Sequence, residues 1–279
     1  MYCFLCSTLD EVACYDFEKN WLRNNIAPSD EVLRCWNDTF LIRYKEILEN
    51  QQSDRQHIIE QWPRLTDPDG YLLVDADFIA LFGANKTDLF NEWDKFSHTF
   101  EKYIKNSQIK DKFSLTLSKQ LDSEGIQADY RYYIISVLFH SIIKPIRTSE
   151  NKLPTIVQAQ RDLCVICDSE DECINTIKSM RDDFKAAQQS LFPRIFTIKQ
   201  EDSLTKFFVV CNGLEFKLPT YLRALDVALK LKFVLNVKFS ESTELFWGFV
   251  TRHFYNINYQ NKSKNNQILL LEQYLLNQK

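Results

Sequence analysis

The 44 residues from Leu214 to Ile257, LEFKLPTYLRALDVALKLKFVLNVKFSESTELFWGFVTRHFYNI, are apolar, nearly unbroken and almost free of side chains suited to chemistry. Such a stretch describes a core before it describes a site. Leu222, Ala224, Leu225, Val227, Ala228, Leu229, Leu231, Phe233, Val234 and Leu235 spread apolar groups around most of a helix, which predicts a helix buried on several sides. A chain of 279 residues with 45% hydrophobic content can bury one large core or two smaller ones. Only 5 Gly and 7 Pro argue against an all-β or loop-rich design, while 21 Phe and 12 Tyr point to a heavily packed interior.

The net charge of -4 gives no general attraction to phosphate backbones, and the basic runs at 105–112 and 262–264 are sparse and interrupted. The longest apolar region, Tyr221 to Phe239, is broken by Arg223, Asp226, Lys230, Lys232 and Lys238, short of the roughly 18 to 20 uninterrupted residues a membrane span needs. No membrane partner is expected. The opening MYCFLCSTLDEVACYDF lacks the positive start and continuous apolar centre of a secretory signal, so the eight Cys are expected to stay reduced in an intracellular protein.

Periodicity predicts a helix over 29–49, with Ser29 as N-cap and Leu33, Trp36, Phe40, Tyr44, Ile47 and Leu48 on its buried face. Asp67-Pro68-Asp69-Gly70 has turn chemistry, with Gly70 supplying positive φ, and Tyr71 to Val74 then reads as extended. Further helices are predicted at 87–105, 109–121, 127–143 and from Pro154 to Cys167. Ser169 and Glu172 fit a capping box that starts the next one, with Cys173, Ile177, Met180, Phe184 and Ala187 on one face. Strands follow at 194–199, 206–211 and 214–217, the last two joined through Asn212-Gly213, and helices at 220–236 and 241–254 close the core. The expected fold is α+β and helix-dominated, a small antiparallel sheet packed by C-terminal helices. Composition divides the chain into a degenerate Cys-containing segment (1–28), a helical region (29–150), a mixed α+β region (153–258), and a polar linker with a short amphipathic tail (259–279).

Candidate chemistry is thin. Cys3-Phe4-Leu5-Cys6 is one half of a zinc knuckle, which makes Cys3 and Cys6 candidate Zn ligands, but no His pair follows at finger spacing. Cys14 and Cys35 are the next thiols along. Cys164-Val165-Ile166-Cys167, with Cys173 beyond, has redox or metal spacing, yet its apolar setting favours buried structural thiols. Asp67, Asp69, Asp75 and Asp77 are the densest carboxylates, but the spacing fails a calcium loop at its sixth and twelfth places, Leu72 and Phe78. His140 and His253 lie in apolar helices and read as core or edge histidines, and spacing alone gives no weight to a Cys167–His140 nucleophile pair. The tail carries Ile268, Leu271 and Leu275 as candidate partner-binding residues, against the alternative that it docks on its own domain.

The segments WPRLTDPDGYLLVDADF (62–78), LPTIVQAQRDLCVICDSEDE (153–172) and Phe207 to Ile257 resemble an uncharacterised, mobile-element-associated family of metazoan, mainly arthropod, proteins. In that family a hairpin is followed by a helix of the kind AVDxxFKxxxVFN and an aromatic helix ending Tyr-x-Ile. Ala224 to Asn236 and Phe254 to Ile257 are similar to that ending. Members often carry N-terminal two-Cys two-His fingers, to which Cys3 and Cys6 correspond in half. The resemblance implies kinship over about 60–258 and carries over no catalytic residue. The functional expectation is therefore a non-enzymatic protein-interaction module, binding a protein partner or itself. The alternatives are a nucleic-acid-associated factor derived from a mobile element, and a hydrolase using a Cys or the carboxylates.

Overall fold

A computed structural model describes residues 9–49, 55–84, 87–187, 191–258 and 265–278, and side chains of the first helix from Tyr15 onward. The N-terminal half is helical: α1 (Leu9–Asn24), α2 (Ser29–Asp38), α3 (Phe40–Glu49), α4 (Arg55–Gln61), a 3-10 turn (Pro63–Thr66), α5 (Gly70–Phe82), α6 (Leu89–Lys105), α7 (Lys112–Gln120) and α8 (Ala128–Ile142). After it come α9 (Ile156–Leu163), β1 (Cys164–Cys167), α10 (Glu170–Ala186), β2 (Arg194–Gln200), β3 (Ser203–Cys211), β4 (Leu214–Leu218), α11 (Tyr221–Val234), α12 (Glu244–Tyr255) and α13 (Asn266–Leu276). The α+β, helix-dominated class holds. The sheet is mixed, because β1 runs parallel to β2 through the α10 crossover, while β2–β3 and β3–β4 are antiparallel in the order β1-β2-β3-β4.

Three local expectations are corrected. The single helix over 29–49 is two, interrupted at buried Thr39, whose hydroxyl donates to the carbonyls of Cys35 (2.7 Å) and Trp36 (3.2 Å) in competition with the helical ladder. Pro28, not Ser29, holds the N-cap position, and Leu33 and Leu48 are exposed. Residues 71–74 are helical: α5 buries Leu73, Val74, Asp77 and Phe78 on one face. Gly70 starts that helix, and what it supplies is room, because a Cβ there would lie 2.5 Å from the Leu65 carbonyl oxygen. The helix from Pro154 ends at Leu163, and Cys164–Cys167 become a strand because β2 offers a ladder, with Cys164 opposite Ile195 and Cys167 opposite Ile198.

The capping box is present in altered form. The Ser169 hydroxyl accepts from the Glu172 amide (3.1 Å), while the Glu172 carboxylate accepts from the Asp168 amide (2.7 Å). The hairpin joins β3 to β4 through Asn212, at φ 51°, with Cys211 opposite Leu214.

The sheet separates two apolar layers. On one face Val165, Cys167, Phe196, Ile198, Phe208 and Val210 meet Cys173 and Ile177 of α10. On the other, Cys164, Ile195, Phe207, Val209 and Phe216 join a core that runs without a break from Leu22 to Leu275. Position 150 therefore marks a change of composition and not a break in the core. Two polar assemblies form on α5, one within the helical half and one that fastens the two halves together. Arg43, between the rings of Trp36 (3.5 Å) and Trp62 (5.0 Å), donates to both oxygens of Asp77. On α5 Asp75 meets Arg223 and Lys230 of α11, which also bond the fully buried Asp226.

Candidate functional site

A groove of about 950 Å³ lies between α9 and α10. Its position follows from how the two helices bury their other faces. Thr155 caps α9 by accepting from the Gln158 amide (3.1 Å), and Ala159, Gln160 and Leu163 turn inward, leaving Val157, Gln158 and Arg161 toward the groove. Helix α10 buries Cys173 and Ile177 against the sheet, so Glu172, Asn175, Thr176, Ser179 and Asp183 form the opposite wall. Val165, Met180 and Arg194 also line it.

Arg194 is only 5% exposed, with its guanidinium 4.4 Å from the Phe192 ring centre. One nitrogen donates to Asp162 (2.5 Å), another faces the Met180 sulfur (3.4 Å), and Nε has no protein partner. Asp162 also accepts from the hydroxyls of Ser240 (2.7 Å) and Ser242 (2.6 Å). Burial lowers the Arg194 pKa, Asp162 opposes that shift, and nearby Arg161 adds to it. The guanidinium nonetheless remains a cation. The groove thus offers charges of both signs, hydroxyl and amide groups, and the half-exposed Val157, with no His, Cys or Lys in its lining.

Beside it lies a thiol pair. A strand sends residues i and i+3 to opposite faces, so Cys164 and Cys167 point into different cores. Cys167 instead shares the apolar pocket between the sheet and α10 with Cys173, both of them buried.

The carboxylates do not converge on a single centre. Asp67 pairs with Arg64 (3.2 Å), Asp69 is exposed, Asp75 meets the cations of α11, and Asp77 holds Arg43. Among the described residues no group of three or more His, Cys, Asp or Glu has metal-binding geometry. Cys3 and Cys6 lie outside the described residues, as does the Cys14 side chain. Cys35 is buried beside Glu31 and Arg34. Burial lowers the His140 pKa to about 3, its ring packs on Phe139 and Phe246, and Nε2 has no partner. It is a neutral core histidine, and its ring neighbours are aromatic rather than a thiol. His253 is exposed and stacks on Phe249 at 5.1 Å.

Ile268, Leu271 and Leu275 are buried against the chain itself, which corrects their assignment as a partner-facing stripe. The docking is reinforced by Tyr274 on Tyr103 (4.9 Å), Glu272 with Arg252 (3.5 Å), and Gln267 accepting from the Lys144 amide. Leu269, Leu270 and Leu276 are the apolar residues α13 leaves exposed. The groove residues Arg161, Asp162 and Arg194 had no signal in the sequence, because a helix end and a strand start meet there only in the folded sheet.

No family model, curated protein or solved structure matches this chain. The C-terminal family resemblance rests on the quoted residues alone. No helix among the described residues is long and apolar enough to cross a membrane.

Proposed function

We propose that this chain is a non-enzymatic protein-interaction module whose α9–α10 groove receives a segment of a partner protein. The observation that carries the reading is the lining itself: opposite charges, short hydrogen-bonding side chains and an exposed Val157, without a nucleophile–base pair. Three carboxylates, Asp162, Glu172 and Asp183, outnumber the two arginines, so a phosphate backbone is disfavoured there. Several chemistry-bearing side chains elsewhere serve the interior: His140 is sealed among aromatics, and Asp77 and Asp226 neutralise buried cations.

The test is crosslinking of the full chain in cell extract, repeated with Arg161→Glu and Val157→Asp, two surface changes expected to leave the melting temperature within a few degrees. The reading expects a protein crosslinked through α9 or α10 in the wild type and lost in both variants. It fails if the wild type yields neither partner nor self-association, or if the crosslinked protein is retained by both variants.

A further inference from the structure

Two buried arginines of this chain differ in how their guanidinium groups are satisfied. Arg43 donates from Nε and Nη2 to the two oxygens of Asp77 (3.0 and 2.5 Å) and from Nη1 to the Thr39 hydroxyl (3.1 Å), so each of its nitrogens has an oxygen acceptor. Arg194 is 5% exposed and lines the α9–α10 groove, yet its guanidinium meets a single oxygen among the described residues, that of Asp162, 2.5 Å from Nη2. The other Asp162 oxygen accepts from the hydroxyls of Ser240 (2.7 Å) and Ser242 (2.6 Å), so Asp162 does not close the fork that Asp77 closes on Arg43. Nη1 faces the Met180 sulfur (3.4 Å), a weak acceptor, and Nε has no partner among the described residues. A guanidinium carries five N–H donors, and burying several of them without an oxygen acceptor is unfavourable.

We propose that the segment received by the groove presents an aspartate or glutamate side chain, whose carboxylate displaces the Met180 thioether and binds Arg194. This inference rests on the reading of the groove as a protein-binding site and names the chemistry the partner must carry. Met180 is the movable part: it lines the groove, is partly exposed, and has a flexible, unbranched side chain. A carboxylate oxygen in place of the sulfur exchanges a weak acceptor for a charge-assisted bond, which the burial of the cation strengthens. Arg161, exposed on α9, adds a second cation at the groove surface. The groove carboxylates leave room for one more. Asp162 is engaged by Arg194 and two serines, Glu172 accepts from the Asp168 amide, and Asp183 is exposed to screening solvent. Arg194 is recessed, so the anion must arrive on a stem, which suits a side chain projecting from a segment laid along the groove.

The experiment selects random peptides, displayed at a free C-terminus, on the native full chain. The selected peptides are then titrated, as free acids and as C-terminal amides, against the wild type, Val157→Asp, Met180→Gln and Met180→Glu. Peptides that bind the wild type and are lost in Val157→Asp should share an acidic position, and changing that residue to its amide should weaken binding by about tenfold or more. Met180→Glu supplies a carboxylate beside Nη1 from the chain itself, so it should abolish the preference for the acidic peptide and melt above Met180→Gln at neutral pH. Met180→Gln should keep the preference. Peptides without an acidic position, acid and amide side chains that bind alike, binding that requires a free C-terminal carboxylate, or a preference that survives Met180→Glu would each overturn this inference and leave the protein-binding reading standing. Equal melting of the two Met180 variants would overturn it as well. If no peptide is selected at all, both the inference and the reading beneath it fall.

Discussion

Asp226 is fully buried, yet three donors converge on it: Lys230 at 2.8 Å, the Tyr255 hydroxyl at 2.6 Å, and Arg223. Asp75 adds a second negative charge, with Lys230 at 2.7 Å and Arg223 on its other side, so two carboxylates balance two cations. Removing one member of such a set leaves a charge stranded in low dielectric, which costs more than the assembled set contributes over an apolar replacement. Asp226→Asn keeps the shape and removes the charge, and should destabilise the chain by about 3–5 kcal/mol. The check is a lower urea midpoint with an unchanged slope. A shift under about 1 kcal/mol would mean that Asp75 and solvent together compensate both cations. Composition gave no sign of this set, because Asp75 and Asp226 are 151 positions apart and meet only through the packing of α5 on α11.

Helix α10 is the element on which the site depends, since one side seals the sheet and another forms the groove wall. Its start is held by Ser169, whose hydroxyl satisfies an amide that the helix leaves without an internal partner. Ser169→Ala should cost about 1 kcal/mol in denaturant unfolding and speed amide exchange in the first turn of α10 selectively. Unchanged exchange at residues 170–173 would show that Glu172 and Asp168 suffice. This cap was legible, because Ser-x-x-Glu before an apolar series is a local signal. So was the Asn212-Gly213 hairpin, and so was α6, whose apolar residues from Leu89 to Ile104 repeat at helical spacing. The strand Cys164–Cys167 was not legible. Four apolar residues after a helix continue it by pattern, and only β2, some thirty residues later, supplies the ladder that makes them extended. Residues 71–74 failed for a different reason: the Asp67–Gly70 turn forms, with the Gly70 amide donating to the Asp67 carbonyl (2.8 Å), but it leads into a helix instead of a strand, and Gly70 gives clearance to Leu65.

At the scale of the molecule, one apolar core includes Trp36, Trp93, Leu138, Val209, Leu229, Phe249 and Leu271, side chains from both compositional halves and from the tail. The interior takes up many aromatic and reactive side chains, including His140, Cys164 and the α5 carboxylate Asp77, whereas the α9–α10 groove keeps charged and hydroxyl groups to offer a partner. Docking of α13 follows the same logic, since its buried stripe completes the core and its exposed leucines are what remains. If this account holds, the helical half cannot open while the mixed half stays folded. The most direct measurement is native-state amide exchange in graded urea, comparing α6 in the helical half with α11 and β3 in the mixed half. The slowest amides of all three elements should merge into one isotherm with a common free energy and slope. Release of α6 at lower urea, while α11 and β3 remain protected, would contradict a single shared core and divide the chain near residue 150.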